Sequence, residues 1–122
     1  MFIKGIKNFF PVPNLIFSLG LSGAEMSLYM YLMYLEDREK HTCHPSFKTI
    51  GKTLKMSRGT VKKYVDSLVE KQMIAVEQTS IVTKSGIKRN GTLLYTRLPI
   101  QNALDYYNEQ QAIIAQNQNK NP

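Results

Sequence analysis

Two stretches of this chain each open on a serine, continue as an amphipathic helix, and are separated by only two residues. In the first, Ser46 precedes Phe47, Ile50 and Leu54 on one helical face; in the second, Ser57 precedes Val61, Val65, Leu68 and Val69. A serine hydroxyl satisfies a free N–H at a helix start, and apolar residues three and four apart bury a single stripe. Pro45 closes off the first stretch on its N-terminal side, and Lys55-Met56 leaves room only for a tight turn. The pattern predicts a short helix from Phe47 to Leu54, a sharp turn, and a longer helix from Arg58 to about Gln72. Lys62, Lys63 and Glu70 fall outside the buried stripe, and the Gly59–Lys63 direction points nearly opposite it.

The flanks must supply the rest of the core. Ser22 with Glu25 three places later is a capping box, and Leu28, Tyr31, Leu32 and Leu35 follow at helical spacing. With Met26, Tyr29, Met30 and Met33 widening the apolar face, Ser22–Glu39 reads as a central helix. Before it lies an arm, Met1–Leu21, rich in Phe and Ile (Phe2, Ile3, Ile6, Phe9, Phe10, Ile16, Phe17). Pro11 and Pro13 resist helix there, and the arm is expected to pack on the domain or on a second copy. After Gln72 the texture turns to strand. Ile74–Thr79 and Thr92–Leu98 are candidates, with turn signals at Ser85-Gly86 and Asn90-Gly91 between them. The second strand is apolar on both faces, Leu94 and Leu98 on one and Leu93 and Tyr95 on the other, so one face needs a cover. Pro99 ends it. Ile100, Ala103, Leu104, Tyr107 and Ile114 predict a C-terminal helix of about four turns, with 117–122 a frayed tail. The expected organisation is an arm (1–21), one compact domain (22–98), and a C-terminal helix and tail (99–122).

Charge narrows the partners. The 122 residues carry a net +7, and the excess is concentrated: from Lys40 to Arg97 there are twelve Lys/Arg and three acids, a local net of +9, while the remainder is net −2. A solubilising surface does not require that segregation, which is the footprint expected for a polyanion partner. One cysteine excludes an internal disulfide, and the uncharged run Met26–Leu35 is too short to span a bilayer. The N-terminus lacks a signal-peptide pattern, so the cytoplasm is the expected compartment, with no membrane partner.

Enzymatic constellations are missing. Gly51-Lys52-Thr53 resembles the end of a phosphate-binding loop, but Ser46 stands where that loop needs glycine and no strand precedes it. His41, Cys43 and His44 are crowded into a connecting loop without a second ligand pair, so no metal is expected. Glu36, Asp37 and Glu39 read as a solvated acidic helix end. No nucleophile motif appears, so the chain is not expected to be an enzyme or to hold a cofactor.

Two helices joined by a tight turn and followed by a basic hairpin suit duplex DNA, because a helix fits the major groove and its N-terminus offers free N–H groups to phosphate. At this point the run from Pro45 through Ser57-Arg-Gly-Thr-Val-Lys to Ile74 resembles the winged helix-turn-helix signature. Its Pro-Ser opening and Ser-Arg-x-Thr-Val-Lys start are similar to GntR-type regulators. The lead-in Phe10-Pro-Val-Pro-Asn-Leu-Ile-Phe and Leu21-Ser-Gly-Ala-Glu more closely resemble small winged-helix proteins of phages, plasmids and integrative elements, and the N-terminal parts of replication initiators. The resemblance covers about Phe9 to Leu98. It implies an α+β, mostly helical fold: a three-helix core, a two-stranded hairpin wing and an added C-terminal helix.

The resemblance also implies roles. Lys48 would contact phosphate or a base. Ser57 would cap the third helix and touch phosphate. Arg58, Thr60 and Lys62 would reach into the major groove, with Lys63 on phosphate or a base and Gly59 permitting close backbone approach. Lys84, Lys88 and Arg89 would place the wing on the backbone or in the minor groove. Lys52, Lys55 and Lys71 read as solvated surface lysines, and Tyr64 as either a packing residue or a phosphate contact. The family usually has glycine where this chain has Gln72-Met73. The expected function is sequence-specific binding of double-stranded DNA as a transcriptional regulator, or as an accessory or initiator in replication or transfer of a mobile element. A homodimer through the arm and the C-terminal helix, and partner proteins at the DNA site, are further expectations.

Overall fold

Ser22 starts the first helix as its spacing requires: its hydroxyl accepts the Glu25 N–H at 3.1 Å, and the Glu25 carboxylate accepts the Ser22 N–H at 3.0 Å. The computed structural model describes residues 8–119, so Phe2, Ile3 and Ile6 of the arm lie outside the described residues. Helix α1 spans Gly23–Leu35, strand β1 Thr42–Cys43, α2 Phe47–Leu54, α3 Arg58–Glu70, β2 Ile74–Val82, β3 Lys88–Arg97 and α4 Ile100–Asn119. A 3-10 turn at Asn14–Ser18 precedes α1. The sheet is antiparallel in the order β1-β3-β2. This is the winged helix-turn-helix architecture, with a hairpin wing and an added C-terminal helix.

The core joins all of these elements. Leu28, Tyr29 and Leu32 of α1 meet Ile50 of α2, Val61, Val65 and Leu68 of α3, and Ile74 and Tyr95 of the sheet. From the arm, Ile16, Leu19 and Leu21 are buried, while Phe9 and Phe17 are exposed. Helices α2 and α3 begin alike: Ser46 and Ser57 each accept the N–H of the threonine three places on and donate to its hydroxyl. The turn between them is tight because Gly51 lacks a side chain. A Cβ there would sit 2.5 Å from the Met56 carbonyl oxygen, and the Met56 N–H closes the helix onto the Gly51 carbonyl at 2.9 Å. Lys55 takes the left-handed conformation that this turn needs (φ 59°).

Several element ends differ from the sequence pattern. Helix α1 stops at Leu35 rather than Glu39, because Glu36 is extended (ψ 145°) and its side chain is drawn into the core. The acidic end is therefore not a solvated one: Glu36 is buried, while Asp37 turns the chain and accepts the Glu39 and Lys40 N–H groups. Helix α3 ends at Glu70, two residues early. Gln72 adopts φ 62°, a left-handed conformation that favours glycine, and the Met73 N–H bonds back to the Leu68 carbonyl at 3.0 Å. The loop at His41–Pro45 contains β1, whose two residues pair with Thr96 and Tyr95. Helix α4 is longer than four turns, and residues 117–119 belong to it.

The wing is also longer than the sequence pattern implies. Its turn is at Thr83–Ile87, where Gly86 takes φ 82°. Asn90-Gly91 is no turn but lies within β3. The register steps from Gln78↔Leu93 to Ser80↔Asn90, so Thr79 alone faces Gly91 and Thr92. This is a β-bulge with its extra residue in β3. Gly91 makes it possible, since a Cβ there would lie 2.5 Å from the Thr79 hydroxyl, which donates to the Thr92 carbonyl.

Candidate nucleic-acid interface

Arg58 is the first residue of α3, and Lys48 the second of α2. Both side chains line one groove, whose far wall is Gln78 of β2 and Asn90 to Leu93 of β3. The helix-turn-helix angle and the wing thus converge on a single surface. Gln78 holds the bulge by donating to the Gly91 carbonyl at 2.9 Å. Gln78, Asn90 and Thr92 carry no sequence signal for this role, since Asn90-Gly91 reads as a turn until its register is known.

The other expected residues of α3 divide by local chemistry. The Ser57 and Thr60 hydroxyls bond each other at 2.9 Å, so both serve the cap first. The space around a Cβ at Gly59 is open, so the fold itself does not demand glycine there. Lys62 pairs with Asp66 at 2.8 Å, with both side chains well exposed. Such a pair is worth at most about 1 kcal/mol and gives way easily to phosphate. The Lys63 ammonium lies 5.3 Å from the Tyr64 ring centroid, a cation–π contact on the exposed side of the helix.

On the wing, the bulge decides which cation faces α3. Side chains alternate along β2, so Gln78, Ser80 and Val82 share the face of Ile74 and Val76, which points to the core. Lys88 pairs with Val82 and lies on that face; Arg89 pairs with Ile81 and lies on the other. Lys84 is exposed in the turn. The three wing cations therefore do not form one cluster.

Two lysine and carboxylate readings change. Lys71 is no free surface lysine: its ammonium lies 2.8 Å from Glu25, whose carboxylate also accepts the Ser67 hydroxyl at 2.7 Å. Burial raises the Glu25 pKa, but the bonds from Lys71, Ser22 and Ser67 outweigh it and bring it down to about 2. Glu36 receives Arg97 Nε at 3.0 Å and Arg38 at 3.0 Å, with His41 at 3.5 Å. Burial alone would lower the Arg97 pKa, but Glu36 outweighs it and holds the guanidinium charged. Burial pushes the Cys43 thiol up to about 11, which makes it a poor nucleophile or ligand. Among the described residues no three His, Cys, Asp or Glu side chains gather as a metal site. Among them, too, no helix is long and apolar enough to cross a membrane.

Comparison with known proteins agrees with this architecture. Residues 19–74 match the model of a family described as a helix-turn-helix domain. A possible transcriptional regulator from Methanosarcina mazei Go1 has a similar structure. The likeness covers 87% of this chain and 82% of that one, at 18% identity and a TM-score of 0.51. The adhesin competence repressor AdcR from Streptococcus pyogenes is more distant, at 14% identity and a TM-score of 0.43 over 85% of this chain and 69% of its own. No curated protein matches the chain.

Proposed function

We propose that this protein binds double-stranded DNA at specific sequences and acts as a transcriptional regulator by occupying its site. The observation that carries this reading is the convergence of Arg58, Lys48 and the Lys88 face of the wing on one groove within the basic part of the chain. Helix α3 enters the major groove with its N-terminal end foremost. Arg58 donates to base edges, Thr60 and Lys62 follow it, and Lys48, Ser57 and Lys63 hold phosphates. The wing, through Lys84, Lys88 and Arg89, follows the backbone or the adjacent minor groove. A homodimer on such a site would present two α3 helices to half-sites about one helical turn apart. The lead-in Phe10–Phe17, similar to that of mobile-element proteins, favours a second reading, in which the same DNA contact serves replication or transfer.

Selection of bound duplexes from a random pool at two salt concentrations tests the proposal. An enriched motif that survives higher salt is the expected result, and its position at a promoter or at an origin separates the two readings. Binding that vanishes with salt and enriches nothing would overturn sequence-specific recognition. Arg58→Ala should cost about 1–3 kcal/mol at the selected site and relax preference at one position. An equal loss on scrambled DNA would place Arg58 on the backbone instead.

A further inference from the structure

We propose that the tip of the wing is an apolar wedge: Val82 presses into the minor groove beside the α3 site, opens a base step there and bends the duplex. This deepens the DNA-binding reading and rests on it. Three large aliphatic side chains crowd the tip and lie mostly in water: Ile81 at 55%, Val82 at 72% and Ile87 at 53% exposed. Val82 is the most exposed large aliphatic residue among those described. A strand needs β-branched residues there, but threonine meets that need without leaving an apolar surface in water. The tip is also held firmly. The Thr83 N–H donates to the Ile87 carbonyl at 2.9 Å, the Ile87 N–H to the Thr83 hydroxyl at 3.2 Å, and the Gly86 N–H to the Thr83 carbonyl at 2.9 Å.

Charge describes what meets this tip. Lys84, Lys88 and Arg89 surround it, and no acidic residue stands between Gln78 and Leu98. The matching partner is apolar at its centre and anionic on both sides. A minor groove has that form, with sugar and base edges lying between two rows of phosphates. The register selects the side chain that enters. Asn90, paired with Ser80, forms the wall of the groove that Arg58 and Lys48 line. Val82–Lys88 is the next pair on that face, about 7 Å farther out. With α3 in the major groove, Lys88 holds a phosphate and Val82 beside it faces the base step, whereas Ile81 lies on the opposite face with Arg89. A straight minor groove is about 6 Å wide, and two paired strands stand about 4.8 Å apart before side chains are counted. The tip therefore reaches the step by opening the groove, which bends DNA towards the major groove. TA and CA steps unstack most easily, so the wing favours them without any hydrogen bond to a base.

Energy transfer across a duplex of the sequence selected by the full chain, labelled at both ends, tests this. Wild type should bend it by about 20° or more, and 2-aminopurine placed at the step under the wing should brighten as it unstacks. Val82→Ser should lose about half of the bend or more and the brightening, while the slope of affinity against salt stays as in wild type, because no phosphate contact is removed. Val82→Ile should retain the bend. Ile81→Ser, on the other face, should leave both bend and affinity unchanged. A bound duplex that stays straight overturns the wedge and leaves DNA binding standing. A Val82→Ser complex bent like wild type, or an equal loss in Ile81→Ser, overturns it as well. Failure to bind any duplex overturns the DNA-binding reading, and the wedge with it.

Discussion

The carboxylate of Glu25 joins two distant parts of the chain: Ser22 at the start of α1, and Ser67 and Lys71 at the end of α3. Its pKa of about 2, against an ordinary 4.5, makes it a stability determinant with a defined pH window. A lowered carboxylate pKa stabilises the fold above the unfolded value, and that contribution is lost as pH falls through the folded one. Glu25→Gln should therefore destabilise the protein at neutral pH by on the order of 3 kcal/mol. The gap from wild type should close between about pH 4.5 and 2 in urea titrations. A gap independent of pH would show that the amide loses packing rather than charge. Gly51 and Gln72 act through the backbone instead. The first lets the Met56 carbonyl approach, and the second bears the left-handed conformation that ends α3.

Among the elements, the wing is where one inserted residue has the largest consequence. Without the bulge at Gly91-Thr92, strict alternation from Tyr95 would turn Arg89 towards α3; with it, Lys88 takes that face. Each phosphate contact contributes about 0.9 to the slope of log K against log salt. Lys88→Ala should lower the slope by about one unit, and Arg89→Ala by distinctly less, when DNA affinity is measured across a salt series. Equal effects would mean that the wing enters a groove with both faces in contact. A larger effect from Arg89 would place its outer face on the backbone.

At the scale of the molecule, Glu36 and Arg97 tie the end of α1 to the base of the wing, and His41 closes the third side with its carbonyl on the Arg97 N–H at 2.9 Å. The Glu36 side chain is 2% exposed, so these partners take the place of water around its carboxylate. Arg97→Met should cost about 3 kcal/mol in thermal or urea unfolding, the low end for one partner of a buried pair, because Arg38 remains. Adding Glu36→Leu should recover part of the loss by removing the stranded charge. A double variant no more stable than the single would indicate that packing of the arginine stem, not the ion pair, holds this junction.

The local signals in the chain were enough for the helices, their serine caps and the turn of the helix-turn-helix. Capping and the 3.6-residue apolar period act over a few neighbours and are written in consecutive residues. The same locality placed Arg58 and Lys48 at helix starts, since each lies just past a serine cap. What depends on partners far along the chain was not legible. Glu36 looks solvated until Arg97, 61 residues later, comes beside it. Lys71 looks free until α1 crosses α3. Asn90-Gly91 looks like a turn until the register with Thr79 makes it a bulge, and that register selects the face of each wing cation. The elements and the segregation of charge could be read along the chain, because both are sums over local residues. Which charges are neutralised inside and which face the groove came from the packing of elements, because those depend on distances between residues the chain holds far apart.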